Sequence, residues 1–160
     1  MAQYVILRRE AVVSVPRDID PAAYAPILCA GVTVFNGLRN MNIHHGGTVA
    51  IAGVGGLGHL AIQYATNMGY RVVAIGRSEA KKEEALKLGA RSYIYGTPEE
   101  NVEELKKLGG ADCIVVTANS PDLTSKLQSG LAKGGTLLVL ASEYICIPRF
   151  LKKGGANLNE

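Results

Sequence analysis

The stretch TVAIAGVGGLGHLAIQYA, residues 48–65, passes from an unbroken aliphatic run through a cluster of glycines into an apolar pattern of a different period. TVAIA (48–52) reads as a strand covered on both faces. Leu57, Leu60, Ala61, Tyr64, Ala65 and Met68 then step along one side of a helix. Between them, Gly53, Gly55 and Gly58 fit GxGxxG. In that place each glycine has a physical use: Gly53 for the tight turn, Gly55 for bare backbone beside a pyrophosphate, and Gly58 for close packing of helix on strand. The helix start adds unpaired N–H groups and the positive end of a dipole. Val54, Gly56 and Leu57 complete the loop as candidate contacts. His59, on the first helical turn, faces either phosphate or solvent.

Outward from this unit the same alternation repeats. RVVAI (71–75), SYIY (92–95), DCIVVT (112–117) and TLLVLA (136–141) are further strand-like runs. Helical stretches lie between them with start signals at Ser78, at Thr97-Pro98-Glu99-Glu100 and at Ser120-Pro121. Leu123, Leu127 and Leu131 share one helical stripe, and Gly134-Gly135 turns into the last strand. Strand–helix alternation of this kind predicts a doubly wound α/β domain with a parallel sheet, of the Rossmann type. Residues 1–21 read as an extended lead-in, and 22–40 as helical with an interruption at Gly31. The coenzyme domain is expected over 22–150, with a frayed tail over 151–160.

Composition narrows the function classes. A chain of 160 residues fits one domain, and 48% hydrophobic with 19% charged residues is the balance of a soluble globular protein. The net charge of +3 is small and scattered among mixed-sign helix faces, and there is no Trp, so nucleic acid is not an expected partner. Three cysteines without a CxxC pair point to a reducing compartment. No long apolar run suggests a signal peptide or a membrane span, so a cytoplasmic location is expected.

The end of the second strand bears on which dinucleotide is held. An acidic residue there would bind the adenosine ribose hydroxyls. RVVAI is followed instead by Gly76-Arg77-Ser78. Lost charge-assisted bonds of about 1.5–3 kcal/mol would weaken NAD roughly tenfold to a hundredfold. Gly76 leaves room for a 2′-phosphate, Arg77 can fork onto it, Ser78 can donate, and Lys81 or Lys82 can add charge. NADP(H) is therefore expected in preference to NAD(H).

YAPILCAGVTVFNGL (24–38), GGTVAIAGVGGLGHLAIQYATNMGYRVVAI (46–75) and KKEEALKLGA (81–90) together resemble the coenzyme-binding half of zinc-type alcohol dehydrogenases, in the medium-chain dehydrogenase/reductase superfamily. The likeness runs over about residues 4–142 and is nearest to the yeast-like and cinnamyl-type enzymes. In the latter, a Ser and a Lys after the second strand are implied to favour NADPH, as Ser78 and Lys81 or Lys82 would here. By position, the resemblance implies that Cys29 corresponds to the third ligand of the catalytic zinc. It places Thr33 beside the nicotinamide, and Thr117-Ala118 and Leu140-Ala141 at strand ends where the coenzyme rests.

The chain departs from the family pattern where the metal should sit. The other two zinc ligands are implied to come from a preceding catalytic domain, and residues 1–28 contain no Cys or His. His44 and His45 precede the first strand, on the wrong side. Cys29 thus reads as an orphan ligand, and as an isolated thiol in an apolar helix it reads as a small core residue. Cys113 and Cys146 read as structural or incidental. The expectation is the NAD(P)-binding part of an alcohol dehydrogenase-like oxidoreductase, lacking its catalytic domain and inactive alone. The partner would be that missing domain or a second copy. A zinc-free quinone or enoyl reductase and a non-catalytic NADP(H)-binding module are the alternatives.

Overall fold

A computed structural model describes residues 4–141 and 149–152. Five strands, β1 (Thr48–Ala52), β2 (Arg71–Gly76), β3 (Ser92–Tyr95), β4 (Ala111–Val116) and β5 (Leu131–Val139), pair in parallel. A short strand, β6 (Arg149–Lys152), adds antiparallel to β5 and straddles position 150. The order across the sheet is β3-β2-β1-β4-β5-β6. β1 lies in the middle, and the connections out of β1 and β4 run to opposite sides of it. Such a reversal opens a crevice at the carboxyl ends of the strands.

Alternate residues of the sheet feed two cores. Val49, Ile51, Val72, Ala74 and Leu138 face Val34, Leu38, Ala61, Ile62 and Ala65, which come from α2 (Ala30–Arg39) and α3 (Gly56–Asn67). Ala50, Ala52, Val73, Ile75, Ile114 and Leu137 face Val102, Leu105 and Leu127, from α5 (Pro98–Lys107) and α6 (Pro121–Leu127). The sheet is covered on both sides, as its unbroken aliphatic strands require. The doubly wound α/β fold expected from the sequence is the fold observed.

Local chemistry fixes several boundaries. The Thr97 hydroxyl accepts from Glu100 N at 3.3 Å, and the Glu100 carboxylate accepts from Thr97 N at 2.7 Å. This capping box starts α5 and stabilises such a helix by about 1 kcal/mol. Those bonds to Thr97 hold the Glu100 carboxyl below its usual pKa. The Ser120 hydroxyl caps α6 in the expected way.

Three expectations are corrected. The helical region before β1 breaks at Cys29, not Gly31. A short α1 (Pro21–Tyr24) passes into a 3₁₀ turn (Ala25–Leu28), and Gly31 lies inside α2, where a Cβ would press on Ile27 and the Tyr64 hydroxyl. Leu131 does not belong to α6: a 3₁₀ turn (Gln128–Gly130) closes that helix, and Leu131 begins β5. The run to Thr136 then bulges, so that Ala111 pairs with Leu131 while Cys113 pairs with Thr136. Ser78 precedes a 3₁₀ turn (Glu79–Lys81) and makes no side-chain cap bond; α4 is confined to Lys82–Lys87.

The lead-in carries a 3₁₀ turn (Arg9–Ala11) and exposes Tyr4, Val5 and Ile6. Among the described residues no single helix is long and apolar enough to cross a membrane. Cys146 and residues 153–160 of the tail lie outside the described residues.

Candidate functional site

The glycine loop spans the end of β1 and the start of α3. Gly53 has φ +103°, a conformation that favours glycine, and its N–H donates to Ile75 O at 2.9 Å. The single Thr117 hydroxyl proton is shared between Ala52 O and Gly53 O, each 3.0 Å from Oγ1, tying the end of β4 to this turn. A Cβ on Gly58 would collide with the Gly53 carbonyl oxygen, so the third glycine permits α3 to sit against the strand. Gly55 and Gly56 differ: a Cβ on either would meet nothing within 4 Å. Gly55 is the N-cap of α3 and has no side chain to cap it. The helix start therefore presents first-turn N–H groups to open space, which is the requirement for an anion.

Beside this loop lies a cavity of about 500 Å³. Gly53, Val54 and Gly55 form one wall, Gly76, Arg77, Ser78 and Lys81 a second, and Thr117 and Ala118 a third. Nine of the residues expected at the site thus meet around one cavity. Its size and its three walls fit a nucleotide portion of a dinucleotide beside the helix start. Arg77 is exposed, with no salt-bridge partner among the described residues. Lys81 pairs with Glu84 at 2.6 Å and Lys82 with Glu79 at 3.1 Å. Both lysine pairs are exposed and cheap to break. The hydrogen bond to Glu79 raises the Lys82 pKa, keeping its cation. Lys82 itself stands outside the cavity wall.

Other expected residues lie apart from this cavity. Gly56, Leu57 and Gly58 continue into α3, and His59 follows on its first turn, half-buried, with a ring nitrogen 3.1 Å from Gln63 Nε2. Thr33 is half-buried on α2, its N–H donating to Cys29 O. Leu140 is buried in the core near Gly37, and Ala141 follows it half-buried.

The sequence reading missed Tyr93, Gly96, Pro98, Asn101, Ser120 and Leu123 in the cavity wall. Tyr93 changes the meaning of Gly76. A Cβ at Gly76 would collide with the Tyr93 hydroxyl, so the space Gly76 leaves is filled by that ring rather than left open for a phosphate. The hydroxyl donates to Ser78 O at 2.7 Å. No signal in the sequence links Gly76 to Tyr93, because the contact depends on how β3 registers on β2.

The cysteine readings divide. Cys113 is fully buried in β4, and burial pushes its thiol up to about 12, too high for thiolate chemistry at neutral pH. Cys29 is exposed at the N-cap of α2, which corrects its reading as a core residue. Among the described residues no group of three His, Cys, Asp or Glu could hold a metal ion. His44 lines a separate cavity of about 370 Å³ with Asp112 and Lys133, at the amino ends of the strands. The described residues do not fit a zinc ion.

The model of the family described as zinc-binding dehydrogenase matches residues 56–153. The chain belongs to the zinc-binding dehydrogenase family. It is 56% identical over 140 residues to alcohol dehydrogenase patD of Aspergillus clavatus, covering 88% of this chain and 36% of that protein. It is 52% identical over 160 residues to alcohol dehydrogenase notN of an Aspergillus species, covering 99% and 47%. In three dimensions it is similar to the alcohol dehydrogenase of Aeropyrum pernix, with TM-score 0.72 and 29% identity over 81% of this chain and 40% of that one. It is also similar to CAD from Helicobacter pylori, solved in complex with NADP(H), with TM-score 0.69 and 32% identity over 81% and 35%. The chain spans less than half the length of these relatives. The zinc-binding dehydrogenase family is zinc-containing and NAD(P)-dependent, and the glycine loop of this chain fits such a coenzyme.

Proposed function

We propose that this chain binds and positions NADP(H), in preference to NAD(H), as the coenzyme-holding part of an alcohol dehydrogenase-like oxidoreductase. The observation that carries the reading is the contrast within the glycine loop. Gly53 and Gly58 are closed against neighbouring atoms, while Gly55 and Gly56 face open space at an uncapped helix start. The pyrophosphate would lie there, with the adenosine portion in the neighbouring cavity. Exposed Arg77 supports a 2′-phosphate, with Ser78 and Lys81 beside it and Lys82 on the outer flank.

Bound nicotinamide supplies a hydride acceptor or donor for an alcohol or aldehyde. The chain's own residues would hold the coenzyme and orient it, with Thr33, Leu140 and Ala141 towards the nicotinamide side. Substrate binding and the metal site would fall to a further domain, with Cys29 as a single ligand towards it. That domain or a second copy would cover exposed Tyr4, Val5, Ile6, Val32 and Phe35. Free Cys29 and Cys113 suit a reducing compartment such as the cytoplasm.

Calorimetric titration of the purified chain with NADPH and with NADH tests the coenzyme preference. The expected result is saturable binding of both, with NADPH tighter by about tenfold or more, the worth of one charge-assisted contact. Equal affinities, or tighter NADH, would overturn the preference.

A further inference from the structure

We propose that Tyr93 positions the Gly76-Arg77-Ser78 segment for a 2′-phosphate, through its hydroxyl and not only through its bulk. The inference rests on the NADP(H) reading above and adds a residue to it.

The geometry is specific. Tyr93 pairs with Ala74 in the β2–β3 register, and its side chain leans along β2 towards the strand's end. There the absent Cβ of Gly76 makes room for the phenol, since a built Cβ would lie 2.7 Å from Cζ and collide with the hydroxyl. The same hydroxyl donates to Ser78 O at 2.7 Å. One phenolic oxygen therefore touches the chain on both sides of Arg77: it packs against Gly76 before it and holds the Ser78 carbonyl after it. Arg77 is left exposed between two fixed neighbours, on the wall that also carries Lys81.

The clamp itself is well anchored. Tyr93 packs against the core cluster built on α2 and α3, and its ring lies 6.1 Å from that of Tyr95. Burial raises the Tyr93 pKa, so the phenol keeps its proton through the neutral range. A guanidinium binds a phosphate well only when its backbone is already placed; a mobile segment would lose part of that affinity in ordering. Tyr93 is thus a positioning residue. It acts through Arg77 and Ser78 and bears on the coenzyme that carries the extra phosphate.

The test is the ratio of NADPH to NADH affinity in Tyr93→Phe, measured by calorimetric titration beside the unaltered chain. Loss of one hydrogen bond predicts NADPH binding about threefold to tenfold weaker, with NADH unchanged. Thermal melting confirms that the variant is folded. If Tyr93→Phe does not fold, Tyr93→Met, which removes the hydroxyl and keeps an apolar side chain of similar reach, predicts the same selective loss. Equal weakening of both coenzymes would reduce Tyr93 to a packing residue and overturn the inference, as would an unchanged ratio. An unaltered chain with no preference for NADPH would overturn the 2′-phosphate reading first, before any variant is compared.

Discussion

Two turns at the carboxyl edge of the sheet do different work with the same residue type. After β1, glycines supply bare backbone: two are wedged against neighbours, and two face open space. After β2, Gly76 is wedged as well, but the groups that face the crevice are side chains, Arg77, Ser78 and Lys81. The first turn offers N–H groups and a dipole, which suit any pyrophosphate and carry no choice between dinucleotides. The second offers a cation and a hydroxyl, which distinguish a phosphate from a ribose hydroxyl. Affinity should therefore reside mainly in the first turn and selectivity in the second.

The most severe way to break that division is Gly58→Ala. Its methyl would enter the Gly53 carbonyl oxygen, and both sides of the contact are backbone. Relief requires moving α3 off the sheet, at a cost of about 3 kcal/mol, the upper end for overpacking. A thermal melt should show the midpoint lowered by roughly 6–12 °C. A variant melting like the parent would mean that helix and strand are not packed as described. Arg77→Ala should act more narrowly. NADPH binding should weaken by about tenfold to a hundredfold, from the loss of a charge-assisted contact, with NADH binding and the melting midpoint unchanged. If NADH suffers equally, Arg77 serves the shared part of the coenzyme, and selectivity does not reside in the second turn.

How much of this was legible depended on range. Gly53, Gly55 and Gly58 act on residues close in sequence, so their spacing announced both the turn and the helix start. The capping box at Thr97 was equally plain, since its partner is three residues away. The unbroken aliphatic strands gave the two-sided sheet. Long-range packing was hidden. From RVVAIGRS alone Gly76 looks like empty space, because nothing in that stretch reveals that Tyr93 leans over it from the next strand. The apolar neighbours of Cys29 point to a core residue, but the helical region breaks there and leaves it exposed. The bulge between Leu131 and Thr136 was hidden for the same reason: Leu131 fits the stripe of α6, and only its pairing with Ala111 shows it to be strand.

The central claim is that open backbone at the start of α3 holds the coenzyme pyrophosphate. Gly55→Val tests it most directly, because Gly55 has φ −104° and a Cβ there meets nothing within 4 Å. The substitution should leave the fold intact while filling the space a phosphate would need. Calorimetric titration with NADPH, alongside thermal melts, should give saturable binding to the parent chain, none to the variant, and equal melting midpoints. A variant that binds NADPH as tightly as the parent, or a folded parent that binds none, would contradict the account.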